Sequence, residues 1–226
     1  MKNKFLTLIA ITALFFTACK TDNAVTPVAE EPKLGDTYQP FTRDSKWVYY
    51  SVTHIPGTYN ETKTETNTII MNGMPYIFDQ KEYHVAKSSS TLDPNLTDVF
   101  LGLNNGVYST RETDDASGQS FEMPYLNPDV ASGTSWITTV NLIGVATQMQ
   151  LKTTVMEKGI SRLVKGKNYE NVIHSQVEVQ YKVNNVFQTM FYYDFYVAKG
   201  IGMIAFYTRT ATADLTSSEL TSYTIK

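Results

Sequence analysis

Four side chains in one late segment have the spacing closest to a binding site. Tyr192, Asp194 and Tyr196 recur at every second residue, and Tyr207 follows a turn at Lys199-Gly200. Residues two apart on a strand share a face. Three phenol rings around one carboxylate would offer flat surfaces to a sugar ring or an apolar ligand, with a polar group to orient it. Other chemistry is thinly represented. No serine stands in a G-x-S-x-G elbow, and no G-x-G-x-x-G or Walker-type loop is present. His54, His84 and His174 are the three histidines, far apart in sequence, so a metal site would need the fold to gather them. Glu112-Thr113-Asp114-Asp115 lacks the alternating ligands and the later glutamate of an EF-hand loop, and reads as a solvated turn. A glycosidase acid and base could come from many carboxylate pairs, which sequence cannot match across strands. No catalytic residue, metal or cofactor is assigned.

Cys19 is the one cysteine, and its position defines its chemistry. It follows Lys2 and Lys4, an apolar run of 12 residues from Phe5 to Phe16, and the small residue Ala18. The run is shorter than the ~20 residues of a membrane-spanning helix and has the layout of a secretory signal peptide. Phe16-Thr17-Ala18-Cys19 resembles the lipobox of bacterial lipoproteins. That resemblance implies a signal peptide over 1–18, a diacylglycerol on the Cys19 thiol and usually a further acyl chain such as palmitate on the new amine. Cleavage before Cys19 leaves 208 residues with 17 basic and 22 acidic side chains, a net charge of −5. Such a body gains nothing from anionic headgroups, so the acyl chains are its expected link to the membrane. The same acidity argues against a nucleic-acid partner. Residues 19–37 carry Pro27, Pro32 and scattered charge without periodicity, and read as a tether.

Those 38–226 residues must position any site, and their pattern is period two. Val145, Thr147, Met149, Leu151, Thr153 and Val155 alternate with polar or small residues, as do Val177, Val179, Tyr181 and Val183. The chain has 15 Tyr and 11 Phe, with 42% hydrophobic and 18% charged residues, which suits half-buried pleated surfaces and not disorder. Asn72-Gly73, Pro56-Gly57, Asn104-Asn105-Gly106, Asn184-Asn185 and Lys199-Gly200 read as turns, the first as a tight hairpin. Asp93 to Leu101 is the best helix candidate, through Pro94 at a first helical position, with a loop leading into a strand over Val99–Leu103 as its rival. The expectation is one all-β domain: an antiparallel curved sheet, half-barrel or sandwich of about ten or more strands with little helix. Trp47 and Trp136 each open a strand after a turn and are expected to plug the ends of the core.

Five segments in order resemble a group of uncharacterised Bacteroidota outer-membrane lipoproteins. They are Tyr38-Gln39-Pro40-Phe41 with Trp47, Asn105-Gly106-Val107-Tyr108, Gly133-Thr134-Ser135-Trp136, Tyr169-Glu170-Asn171-Val172-Ile173, and the "AKGxG" turn in Tyr196-Val197-Ala198-Lys199-Gly200-Ile201-Gly202. The resemblance implies a curved antiparallel sheet and an outer-membrane anchor, with the periplasmic or surface side open. It implies no catalytic residues. The expected role is a non-enzymatic envelope protein that binds a small molecule, glycan or protein partner. A carrier of lipid or another apolar molecule in a sheet cup is the second possibility, and a glycan hydrolase the third.

Register decides whether the tyrosine platform exists. A two-residue Lys199-Gly200 turn would set Tyr196 opposite Met203, Asp194 opposite Ala205 and Tyr192 opposite Tyr207. A two-residue Asn184-Asn185 turn would set Val177 opposite Tyr192 and turn the tyrosines into the core. One extra residue would set Val177 opposite Tyr193 and Val179 opposite Phe191, leaving Tyr192, Asp194 and Tyr196 on the other face. Turn chemistry favours the first and hydrophobic matching the second.

Overall fold

A computed structural model describes residues 35–55, 61–113, 118–143 and 148–226, all within the unit Pro32–Lys226. Cys19, the tether before Gly35, Pro56-Gly57, Asp114 and Asp115 lie outside the described residues. Among the described residues the alternating segments form twelve strands: β1 (Lys46–His54), β2 (Thr62–Phe78), β3 (Lys81–Ser90), β4 (Thr97–Asn104), β5 (Val107–Thr113), β6 (Ser120–Leu126), β7 (Ser135–Val140), β8 (Met149–Val164), β9 (Lys167–Val183), β10 (Val186–Ala198), β11 (Gly202–Arg209) and β12 (Asp214–Thr224). They make one antiparallel sheet in the order β6-β5-β4-β3-β2-β1-β12-β11-β10-β9-β8-β7. Two six-strand meanders are thus joined by the first and last strands, and the sheet curls into a nearly closed barrel. This is the expected curved sheet, with no helix among the described residues. In the helix candidate, the Asp93 side chain accepts the amide of Asn95 (3.0 Å) in a local turn, and the rival strand forms as β4.

The two end strands of the order meet without pairing. Tyr125 is skipped in the β5–β6 ladder, where Tyr108 faces Leu126 and Ser109 faces Pro124. Two carbonyls of β6 are met from across the seam: Thr153 Oγ1 on β8 donates to Pro124 O (2.8 Å) and Ser175 Oγ on β9 donates to Tyr125 O. Thr153 and Ser175 are fully buried, so two small hydroxyls cover part of the edge that β6 would otherwise leave exposed.

One end of the barrel is plugged by residues 35–45. Thr37 Oγ1 lies 3.0 Å from the Tyr108 hydroxyl, and the Tyr38 amide donates to the same oxygen (3.1 Å). The Gly200 amide donates to Thr37 O (2.7 Å), and Trp47 Nε1 donates to Ile201 O (2.6 Å). Gly200 has φ +77°, and a Cβ there would come within 3.2 Å of Gly35 Cα, so the turn needs glycine for conformation and for space. Trp47 is buried in one of two core clusters, and Trp136 is half-buried against the other.

Two turns depart from expectation, and a third reconciles two rival registers. Asn72-Gly73 is not a hairpin but a bulge inside the long strand β2, between the pairs Met71–Ala86 and Pro75–His84. Residues 43–45 dock there: the Asp44 amide donates to Met71 O (2.8 Å), and a Cβ on Gly73 would lie 2.8 Å from Arg43 Cβ. The chain reverses instead at Asp79-Gln80, both at positive φ. At Lys199-Gly200 the loop includes Ile201, so Ala198 faces Gly202, and after a bulge Tyr196 faces Ala205, Asp194 faces Tyr207 and Tyr192 faces Arg209. At Asn184-Asn185 the turn has two residues, with Val183 opposite Val186, yet Val179 faces Phe191 and Val177 faces Tyr193. A bulge at Met190 supplies the extra residue. Turn chemistry and hydrophobic matching are therefore both satisfied.

Candidate functional site

That register places Tyr192, Asp194, Tyr196 and Tyr207 on the convex face of the sheet and brings them together there. Asp194 is 8% exposed and accepts from Gln176 Nε2 (2.9 Å) and Arg209 Nε (3.4 Å), with His174 Nε2 at 2.9 Å. Burial alone would raise its carboxyl. The hydrogen bonds from His174 and Gln176 and the charges of His174 and Arg209 outweigh it and hold the group below the usual carboxylate range. His174 stacks on Tyr196 with ring centroids 4.3 Å apart, and Tyr196 meets Tyr207 edge to face at 5.8 Å.

The flat faces of this platform carry the protein's own cations. Arg162 lies 4.1 Å over the Tyr196 ring and Arg209 lies 4.2 Å over Tyr192. Arg162 comes from the far half of the β8–β9 hairpin, which bends back over β10–β12 and β1. Breaks in the β8–β9 ladder at residues 155–162 and positive φ at Gly159 and Asn171 produce the bend. Beyond Arg162, Lys165 reaches Glu219 (3.2 Å) and the Tyr50 ring (4.5 Å), and Lys167 reaches the Tyr223 ring (4.3 Å). Val164, Tyr169, Val172, Ala198 and Ala205 are buried in the cluster beneath. The platform is thus built, and an arm of the same chain covers it.

The concave face holds a cavity of about 410 Å³. Its walls come from alternate residues of both meanders: Ile69, Val99 and Leu101 from one, Tyr193, Phe195 and Phe206 from the other. Gln39 and Trp47 form its floor against the plug. Polar groups also line it: Asn67, Ser88, Thr110, Glu112, Thr208 and Ser218. Strand direction and register put Glu112 and Thr208 at the end away from the floor, where Glu112 remains solvent-accessible although protein surrounds it. Burial raises its carboxyl above the usual range, against an opposing hydrogen bond from Thr110. A volume within the ~300–1,000 Å³ of small-molecule sites, with largely apolar walls and a few polar groups, is what a cup for one amphipathic ligand requires.

Most of these cavity residues escape a search for chemistry, because among the described lining residues only Glu112 has an acidic carboxyl and none has a basic group. The signal available to a reader is polar residues at inward strand positions: Asn67, Ser88, Thr110 and Ser218 interrupt rows that are otherwise apolar or aromatic. The three histidines are not gathered. His54 ends β1, His84 stacks on Phe41 (4.3 Å), and His174 lies between Asp194 and Glu157 (3.6 Å). Among the described residues no group of His, Cys, Asp and Glu has the arrangement of a metal site.

Two solved structures share this architecture. A proposed exported protein of Bacteroides fragilis with a YmcC-like fold has a TM-score of 0.51 at 10% identity, covering 82% of this chain and 97% of its own. A proposed lipoprotein of Parabacteroides distasonis has a TM-score of 0.52 at 10% identity, covering 83% and 98%. At such identity the likeness shows the fold alone. No protein-family model matches the chain, and no curated protein does.

Proposed function

We propose that this chain is a non-enzymatic lipoprotein of the bacterial cell envelope, held in the outer membrane by acyl chains on Cys19, whose β domain binds a small apolar or amphipathic molecule in the barrel. The observation that carries the reading is the interior cavity of about 410 Å³, closed at its floor by residues 35–45 and walled by aromatic and aliphatic side chains. An apolar chain that entered this space would gain dispersion contacts with the aromatic and aliphatic walls and release the water over them, while the polar groups could orient its head. The signal-peptide pattern before Cys19 supports the envelope placement, and two proteins of the same fold are described as exported and as a lipoprotein. The Tyr192, Asp194, Tyr196 and Tyr207 cluster is read as a second contact surface, open to a ligand only when the Arg162 arm is displaced.

Native mass spectrometry of gently extracted full-length protein tests the cavity. The expected result is a non-covalent mass that is released by organic solvent. A ligand-free spectrum, together with no binding of the apolar fluorophore N-phenyl-1-naphthylamine, would overturn the reading.

A further inference from the structure

We propose that the cavity selects its ligand by head-group charge: it takes a single-chain amphiphile whose polar end is neutral or cationic, and it excludes carboxylate and phosphate heads. The inference rests on the cavity reading above and goes further by naming the class of ligand. Among the described residues no lysine, arginine or histidine lines the cavity, and Glu112 is the one charged side chain in its lining. The floor is apolar apart from Gln39, whose amide donates to Pro40 O (3.2 Å). The polar end of a ligand therefore belongs at the far end, with the hydroxyls of Thr110 and Thr208 and the Glu112 carboxylate.

The nearest basic side chains do not change this, because strand alternation sends them outward. Arg111, next to Glu112, lies 4.2 Å over the Phe78 ring and 3.9 Å from Asp79 on the convex side. Arg209, next to Thr208, is engaged by Asp194 and Tyr192. An anionic head would meet a like charge at the Glu112 end, with no cation among the described lining residues to pair it. A hydroxyl or an ammonium would instead donate to Glu112, and burial already holds that carboxyl above its usual range, a state that a donor beside it relieves.

Displacement of N-phenyl-1-naphthylamine from the detergent-free full chain carrying Cys19→Ala tests the proposal, using dodecanol, dodecylamine and laurate at one pH near 7.5. Dodecanol and dodecylamine are expected to displace the probe, and laurate about tenfold more weakly. Glu112→Gln should close most of the gap between laurate and dodecanol, and Glu112→Lys should reverse it, with circular dichroism confirming the β fold of both. Laurate equal to dodecanol on the unchanged cavity overturns the charge selection while the cavity reading stands. Failure of the probe to bind at all overturns both.

Discussion

Trp47 Nε1 donates to the carbonyl of Ile201 at 2.6 Å, across 154 residues of chain. The bond ties the first strand to the turn before β11 and so closes the floor of the cavity. It also joins segments that lie far apart in sequence. Tyr38 and Trp47, Tyr108, and the Ala198–Gly202 turn all meet at this one end of the barrel. Their physical role in this chain is to seat the plug, a structural task separate from the lining of the cup.

Trp47→Phe should therefore destabilise the domain. It removes a buried indole, 2% exposed, and leaves the Ile201 carbonyl without its donor. A loss of about 1–3 kcal/mol is expected from the lost hydrogen bond and the smaller ring. Urea unfolding followed by the remaining Trp136 measures it; an unchanged midpoint would show that the plug contributes nothing to the fold.

Acid should unfold the protein through the convex-face carboxylates. Asp194 and Glu178 both have folded pKa values below their unfolded ones. For Glu178, burial opposes the shift, and the bonds from Lys152, Thr189 and Gln180 outweigh it. A depressed carboxyl contributes stability that is present above the unfolded pKa and is lost as pH falls through the folded one. Stability should thus be held to about pH 4 and decline below it. Asp194→Asn should lose roughly 2 kcal/mol at pH 7 and show a shallower acid limb. Glu112 has the opposite sign, its folded pKa being raised, so Glu112→Gln should stabilise the protein at pH 7 and match the parent below pH 4. Midpoints of urea unfolding between pH 2.5 and 7 check both signs.

The sheet was readable because β-branched and aromatic residues alternate through long runs such as Met149–Val155 and Val177–Val183. Register was not, since bulges are nearly invisible in sequence. Asn72-Gly73 has the chemistry of a hairpin turn, but two extra residues between Met71 and Pro75 absorb it into a strand because residues 43–45 pair there. Asp79-Gln80 turns the chain with no glycine. The tyrosine platform was recoverable from the spacing of Tyr192, Asp194 and Tyr196. Its cover was not, because Arg162 sits on a hairpin whose bend depends on several breaks in one ladder. The cavity depends on inward residues from both meanders, whose juxtaposition only the curl of the sheet creates.

Met190 offers a direct check on that register. It is the extra residue between the pairs Thr189–Gln180 and Phe191–Val179. Deleting it leaves both pairs in a regular ladder, so the variant should fold with a midpoint within about 1 kcal/mol of the parent. Deleting Asn185 instead breaks the two-residue turn that holds Val183 opposite Val186, and should cost much more. Equal losses from the two deletions would contradict the bulge.

Val99 lines the cavity and is only half-buried, so a larger side chain there can grow into empty space. Val99→Phe should weaken N-phenyl-1-naphthylamine binding about tenfold while keeping or raising the unfolding midpoint, since filling a void recovers contacts. Unchanged probe affinity would place the bound molecule elsewhere. The convex tyrosine cluster would then be tested by Arg162→Ala, which uncovers Tyr196.

Cys19 is the proposed attachment point, through acyl chains. Two or three acyl chains, at ~0.8 kcal/mol per buried methylene, anchor a protein stably where one chain gives marginal binding. With the proposed cleavage before Cys19 the chain would have a net charge of −5, which anionic lipid headgroups repel, so no residual adsorption is expected once the chains are gone. The unchanged protein should enter the detergent phase of a Triton X-114 separation, resist a high-salt wash and carry the mass of its acyl groups. Cys19→Ala should lose that mass and move to the aqueous phase at any salt concentration. Membrane retention by the alanine variant would sink the lipid-anchor reading and point to a protein partner.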